Sequence, residues 1–297
     1  IRNTVSNYSK PGDAVLTADW FWAPYNSIAQ EQGRTLETYE LLNKEGGFNK
    51  EAFDAKVNGL LAKQDSLVIL LNTPAHNPTG YSLTLSDWDK VIETLSSAGS
   101  DKKITLFVDI AYIDFAGDEE EYRQFLPKLE ELPANVLPVL GYSASKTFTL
   151  YGMRCGAMIC MAKTAEIAAE FKQVCEFSAR ATWSNSTRAA QKVIANIYED
   201  EKLLARVNEE RKQYRDMLVA RGRAFEKSAK EAGLEIVPFD SGFFASIPCP
   251  NPDEISRKLE KEGIFIVPLA KGLRVSVASI SEERCAAIPF KIAEAMK

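Results

Sequence analysis

The chain is poor in residues on which several large protein classes depend. It has one histidine, His76, in 297 residues. Without a second imidazole, Ser-His-Asp and Cys-His catalysis are set aside unless that one residue serves every role. The five cysteines, Cys155, Cys160, Cys175, Cys249 and Cys285, are odd in number, scattered, and never spaced Cys-x-x-Cys. That usage argues against a disulfide framework and a thiolate zinc site, and it fits a reducing compartment, so a cytoplasmic protein without bound metal is expected. No run of about 18 apolar residues exists and no charged-then-apolar leader opens the chain, so neither a membrane-spanning helix nor a secretory signal is expected. There is no basic excess either. A formal net charge of −5 provides no attractive field for nucleic acid or for a lipid surface. The phosphate-loop patterns G-x-G-x-x-G and G-x-x-x-x-G-K-[ST] are both missing. The chain also lacks an initiator methionine. In "IRNTVSNYSKPGD", Val5 and Tyr8 stand at helical spacing before Pro11-Gly12, which reads as the tail of a helix and suggests a fragment or a processed chain.

What is present is an ordinary globular composition, 45% apolar and 26% charged, long enough for about two domains. Short apolar runs at 14–18, 66–72, 104–110, 136–142 and 156–162 read as strands, and the stretches at 50–64 and 85–99 carry apolar residues at helical spacing. Such alternation implies βα units and a mostly parallel sheet between two layers of helices. From 185 to 232 the pattern is charged and helical, with Val207, Tyr214, Met217, Leu218 and Phe225 on one stripe and Gly233 placed to end it. One long helix between two lobes is expected there. Beyond it, "LEIVPF", "GFFASIP", "PDEISRKLEKEG", "IFIVPL" and "LRVSVAS" suggest a small α+β domain. The expected fold class is therefore α/β. A large domain would span residues 1–205 and a smaller C-terminal domain residues 206–297.

Three segments carry candidate chemistry. In "GYSASKTFTLYGMRCGAMI", Lys146 follows a strand and is set among small hydroxyl residues. A lysine desolvated at a strand's carboxyl end is suited to Schiff-base chemistry. Ser143 and Arg154 in the same segment offer hydroxyl and guanidinium donors of the kind that hold a phosphate. In "FVDIAYIDF", Asp109 ends a strongly apolar run. It is either a helix cap or a buried carboxylate that needs a cationic partner, such as a protonated pyridine nitrogen. Tyr112 follows three residues later. The third segment, "NTPAHNPTG", places Asn77 in a rigid turn directly after an apolar strand.

The ordered set of Asn77-Pro78-Thr79-Gly80, Asp109 with Tyr112, Ser143-Ala144-Ser145-Lys146 with Arg154 and Gly156, and Arg274 in "GLRVSVAS" resembles the pyridoxal-phosphate aminotransferases of the aspartate and aromatic group. The resemblance covers essentially the whole chain. It implies pyridoxal 5'-phosphate as cofactor and amino-group transfer between an L-amino acid and a 2-oxo acid such as 2-oxoglutarate. Lys146 would form the Schiff base and then move the substrate's proton, and Asp109 would keep the pyridine nitrogen protonated. Tyr112 and Asn77 would bond the ring's phenolic oxygen, with His76 beside them in a supporting place. Trp22 would stack on the ring, and Ser143 and Arg154 would bind the phosphate. Arg274 would clamp the substrate's alpha-carboxylate, and Arg180 would read a distal carboxylate across a dimer interface. Phe243 and Phe244 would line the substrate side. The family also implies a homodimer, and an upstream Ser/Gly-rich phosphate loop that would precede Ile1. Thr149 and Cys155 depart from the family's usual choices around the lysine. A carbon–sulfur lyase with the same Lys, Asp and Tyr is the alternative enzyme. A cofactor-binding regulatory module or a truncated, inactive aminotransferase fold is the alternative outside catalysis.

Overall fold

The computed structural model describes residues 1–297. In chain order the elements begin with α1 (Arg2–Tyr8), β1 (Ala14–Ala18), α2 (Pro24–Glu31), β2 (Thr35–Tyr39), α3 (Lys50–Leu61) and β3 (Ser66–Asn72). They continue with α4 (Leu85–Ser97), β4 (Lys103–Asp109), α5 (Glu119–Arg123), α6 (Phe125–Lys128), β5 (Val136–Ser143), α7 (Ala144–Thr147) and β6 (Gly156–Cys160). The remainder is largely helical: α8 (Ala165–Thr182), α9 (Arg188–Glu199), α10 (Glu201–Glu231), β7 (Phe244–Pro248), α11 (Pro252–Glu260), β8 (Val267–Leu269), β9 (Gly272–Ser276) and α12 (Glu282–Ala295). Two compact units result. The first comprises Ile1–Thr73, Leu83–Ala111 and Arg123–Leu204, and the second comprises Pro74–Ser82, Tyr112–Tyr122 and Ala205–Lys297.

The first unit is built on a six-stranded sheet in the order β2-β1-β3-β4-β5-β6, parallel throughout except for β6, which runs antiparallel to β5. Its inner strands "SLVILLN" and "KITLFVD" are buried almost end to end, as expected of strands covered on both faces. The covering helices are capped by their own sequence. Asn49 Oδ1 accepts the Ala52 N–H at the start of α3, and Thr84 and Asp87 form a reciprocal capping box on α4. Trp88, Val91, Ile92 and Leu95 of α4 are buried, and they recur at the period of one helix face. Strand register sets Asn72, Asp109 and Gly141 in one row at the carboxyl ends of β3, β4 and β5. That edge is where open α/β sheets bind their ligands. Gly141 is required in the row, because a Cβ there would lie 2.2 Å from the Phe107 ring.

One strand is not anticipated from the sequence, and two local expectations are corrected. Strand β2 escapes the pattern because "TLETY" has no buried residue except Tyr39. The strand expected over 156–162 ends at Cys160. The single helix expected over 185–232 is two, α9 and α10. Asp200 between them is extended, and its carboxylate accepts the N–H groups of Lys202 and Leu203, both at 3.0 Å. An aspartate spent on capping α10 cannot also continue α9.

The second unit holds a three-stranded antiparallel sheet in the order β7-β9-β8. Phe225, Ile247, Leu259, Leu273, Val277 and Ile292 are buried together in its core. The expected strand "LEIVPF" does not form a regular ladder. Val237 donates one backbone bond to Ser246, and of "IFIVPL" only Val267–Leu269 joins the sheet.

Candidate active site

In the first unit the parallel strands deliver Asp109 to the carboxyl end of β4, where its side chain is buried at 8% exposure. Its Oδ2 accepts a 2.7 Å hydrogen bond from the Tyr25 hydroxyl, and its Oδ1 accepts the Ala111 N–H at 3.2 Å. The backbone carbonyl of Asp109 receives Asn72 Nδ2 and the Thr73 N–H, which locks the strand end. Burial pushes the Asp109 carboxyl above its ordinary range, opposed by the Tyr25 hydrogen bond, the Ala111 N–H and the positive charge of Lys146. Of the two readings that the sequence leaves open for Asp109, a helix cap and a buried carboxylate, the structure has it buried, within the field of Lys146.

Lys146 lies on α7, the single helical turn that follows β5. It is half-buried, with Nζ 4.5 Å from the centroid of the Tyr151 ring. Ser143 ends β5 and pairs with Gly156 of β6, and its side chain makes no cap bond to α7. Arg154 adopts a left-handed conformation at φ 52°, and its Nη1 donates to the Tyr151 carbonyl at 2.8 Å and to Ser145 Oγ at 3.3 Å. The hydroxyl it meets is thus that of Ser145, not of Ser143. Trp22 is half-buried and meets Tyr25 edge to face at 5.5 Å and 87°. Arg180 stands exposed near the end of α8, where it donates to Ser184 Oγ in its own helix terminus.

In the second unit the Pro74–Ser82 segment is a tightly tied turn. Gly80 N–H donates to the His76 carbonyl, His76 N–H to the Tyr81 carbonyl, and His76 Nδ1 lies 2.8 Å from Thr79 Oγ1. The lone histidine therefore braces its own turn. Gly80 adopts φ +80°, and a Cβ there would lie 2.3 Å from the Phe239 ring and 2.7 Å from the Phe244 carbonyl oxygen. Only glycine permits that approach. The turn aims buried Asn77 with both amide groups engaged: Nδ2 donates to Tyr112 Oη at 3.2 Å, and Oδ1 accepts Arg274 Nη1 at 3.0 Å.

Strand register explains Arg274. It pairs with Ser246 on β7, and Phe244 lies two residues before Ser246 on the same sheet face. The guanidinium consequently sits 4.4 Å over the Phe244 ring, while Ser246 Oγ donates to the Pro78 carbonyl at 2.9 Å. Tyr112 packs edge-on against Phe243 at 5.1 Å and Phe244 at 6.1 Å. Asn77, Tyr112, Arg274, Phe243 and Phe244 thus form one connected group.

Sequence reasoning missed Tyr25, Ser145 and Ser246. Tyr25 stands three residues after Trp22, a spacing at which helical neighbours meet, and that signal was available. Ser145 and Ser246 are small hydroxyl residues whose roles depend on register alone.

The Aminotransferase class I and II family model matches residues 2–288. The aromatic-amino-acid aminotransferase of Escherichia coli (strain K12) is 27% identical over 279 residues, covering 91% of this chain and 66% of that protein. The aspartate aminotransferase of Pseudomonas aeruginosa is 24% identical over 291 residues, covering 96% of this chain and 70% of that one. The chain thus spans about two thirds of the length of these curated relatives. Among solved structures, an aminotransferase from Anaerococcus prevotii is 37% identical with a TM-score of 0.96, covering 100% of this chain and 73% of that one. The aromatic-amino-acid aminotransferase of Burkholderia pseudomallei, covalently bound to pyridoxal phosphate, shares the fold at a TM-score of 0.82 and 23% identity, covering 100% of this chain and 72% of that one.

Proposed function

The chain belongs to the class I and II aminotransferases, a fold type I, pyridoxal-phosphate-dependent family. From that premise we propose that it transfers the amino group of an aspartate-type or aromatic L-amino acid to a 2-oxo acid such as 2-oxoglutarate. The observation that carries the reading is Asp109, a buried carboxylate at a strand's carboxyl end, within the field of Lys146 and furnished with donors only. An acceptor so enclosed suits a cationic ring nitrogen. The amine of Lys146 suits an aldehyde, and the Arg154 guanidinium suits a phosphate. The donor set therefore fits pyridoxal phosphate.

Bound there, the cofactor supplies an electron sink for the electron pair released at the substrate's alpha carbon. The chain's own residues do the rest. Lys146 would take the alpha proton and return it. Asp109 would keep a proton on the ring nitrogen. Asn77 and Tyr112 would offer hydrogen bonds to the phenolic oxygen, and Trp22 would offer an aromatic face to the ring. Ser143 and Arg154 would hold the phosphate, and Arg274 would hold the substrate's alpha-carboxylate. Arg180 is assigned to a distal carboxylate, a role that its exposure leaves to the assembled dimer. Exposed Phe177, Trp183 and Tyr151, at 77%, 51% and 64%, support a homodimer. Five free cysteines support the cytoplasm, and no helix is long and apolar enough to cross a membrane. That the named relatives are transaminases supports transfer over beta-elimination.

The test is a visible absorption spectrum after incubation with pyridoxal phosphate and removal of the excess. A band that is present in the wild type, absent in Lys146→Ala and bleached by glutamate is expected. Turnover retained by Lys146→Ala would overturn the assignment, and ammonia released with pyruvate would replace transfer with elimination.

A further inference from the structure

The Phe239 ring lies between two glycines. Its Cδ2 edge faces Gly80 in the turn that carries Asn77, and its Cε1 edge faces Gly222 on α10; a Cβ at either glycine would lie 2.3 Å from the ring. We infer that Phe239 is a positioning residue for Asn77, a spacer braced by α10 that sets how the turn presents the Asn77 amide to Tyr112 and Arg274. This rests on the pyridoxal-phosphate reading above and adds to it a residue with no role in the sequence pattern. All of these residues belong to the second unit.

Gly80 and Asn77 move together, because the Gly80 N–H donates to the His76 carbonyl at 2.6 Å and closes the turn around Asn77. The segment that carries Phe239 grips this turn. The Asp240 and Ser241 N–H groups donate to the Gly80 carbonyl at 3.0 and 3.1 Å, and Asp240 Oδ2 accepts the Ser82 N–H at 2.7 Å. Ser246 Oγ holds the Pro78 carbonyl. These bonds pull the turn inward, and each tolerates a change of some tenths of an ångström. A ring packed on both edges resists such a shift, because close-packed atoms transmit displacement. The spacer fits only where both neighbours lack a Cβ, and its backing is a helix of 31 residues.

Phe239 also packs against the core that holds Phe225 and Leu273, so filling space is the competing role. Phe239→Leu together with Gly222→Ala separates the two. Leucine keeps apolar bulk but is too short to span both glycines. Alanine at 222 alone presses on the ring, and in the double variant its methyl group fills the space that the ring edge vacates.

The experiment compares wild type, Phe239→Leu and the double variant. It reads the Asn77 side-chain amide signal in apoprotein labelled with ¹⁵N-asparagine, the pH midpoint of the visible band after loading with pyridoxal phosphate, and the urea midpoint. A donor on the phenolic oxygen draws off negative charge there and so lowers the pH at which the neighbouring Lys146 nitrogen gives up its proton. In Phe239→Leu the amide signal should therefore shift and the pH midpoint should rise by about half a unit or more, the scale of one weakened hydrogen bond. In the double variant both should return toward wild type. A Phe239→Leu protein that loses urea resistance but keeps the wild-type amide signal and pH midpoint overturns the inference, as does a double variant no closer to wild type than Phe239→Leu. A wild-type chain that binds no pyridoxal phosphate overturns the functional reading instead, and the amide signal, read without cofactor, still decides the role of Phe239.

Discussion

Replacing Phe244 with leucine should weaken carboxylate binding while the fold stands. The Arg274 guanidinium is held from two directions: Asn77 Oδ1 accepts from its Nη1 at 3.0 Å, and its Cζ sits 4.4 Å over the Phe244 ring. Leucine preserves apolar bulk but has no aromatic face, so it removes the second restraint and leaves the first. A half-buried cation–π contact contributes about 0.5 to 2 kcal/mol. If the guanidinium must be held flat to engage a carboxylate in bidentate fashion, that loss appears as a rise of about 2- to 30-fold in the half-saturating amino acid concentration. The rate constant kcat should change less, because Lys146 and Asp109 lie in the other unit. Two measurements check this: steady-state kinetics, and absorbance titration of the cofactor-loaded protein with maleate, a dicarboxylate that cannot react. Phe244→Trp keeps a face under the guanidinium and should bind maleate nearly as well as wild type. Unchanged maleate affinity in Phe244→Leu would refute the reasoning, and so would a fall in kcat with affinity preserved.

Gly80→Ala should destabilise the protein by about 2 to 5 kcal/mol, summing a left-handed alanine at φ +80° with a Cβ pressed against Phe239 and the Phe244 carbonyl. Urea unfolding measures it, and a loss below about 0.5 kcal/mol would mean that the turn is softer than its contacts imply. Cys285 is fully enclosed, and burial pushes its thiol up to about 11 from an ordinary value of 9.0. A folded-state pKa raised above the unfolded one gives stability that is complete below about pH 9 and is lost as pH rises toward 11, on the order of 2 kcal/mol in all. Cys285→Ala should therefore unfold more easily at pH 7 yet lose less stability between pH 8.5 and 11. Parallel curves for the two proteins would discount the thiol.

The elements that could be read in the sequence were those whose signal is local. Strands β3 and β4 are apolar end to end because both faces are covered, and α4 shows its box of Thr84 and Asp87 and its buried stripe in the residues themselves. Where packing decides, the sequence is silent. Strand β2 is held by parallel pairing to β1 across 21 residues of separation, from Ala14 to Thr35, and nothing in "TLETY" announces it. Asp200 carries a cap signal, but the helical stripe on either side of it obscured the break. Candidate site residues followed the same division. Asn77, Asp109 and Lys146 each end or follow a recognisable strand, so chain order alone finds them. Tyr25 and Ser145 matter through partners 84 and 9 residues distant, Asp109 and Arg154 respectively. Their roles become visible only when sheet register brings strand ends and helix starts together. Arg180 marks the limit in the other direction. The family pattern assigns it a substrate contact, and in the single chain its guanidinium donates to Ser184. Its assignment stands or falls with the dimer: a dimeric protein whose Arg180→Ala variant loses dicarboxylate preference while keeping aromatic substrates would bear it out.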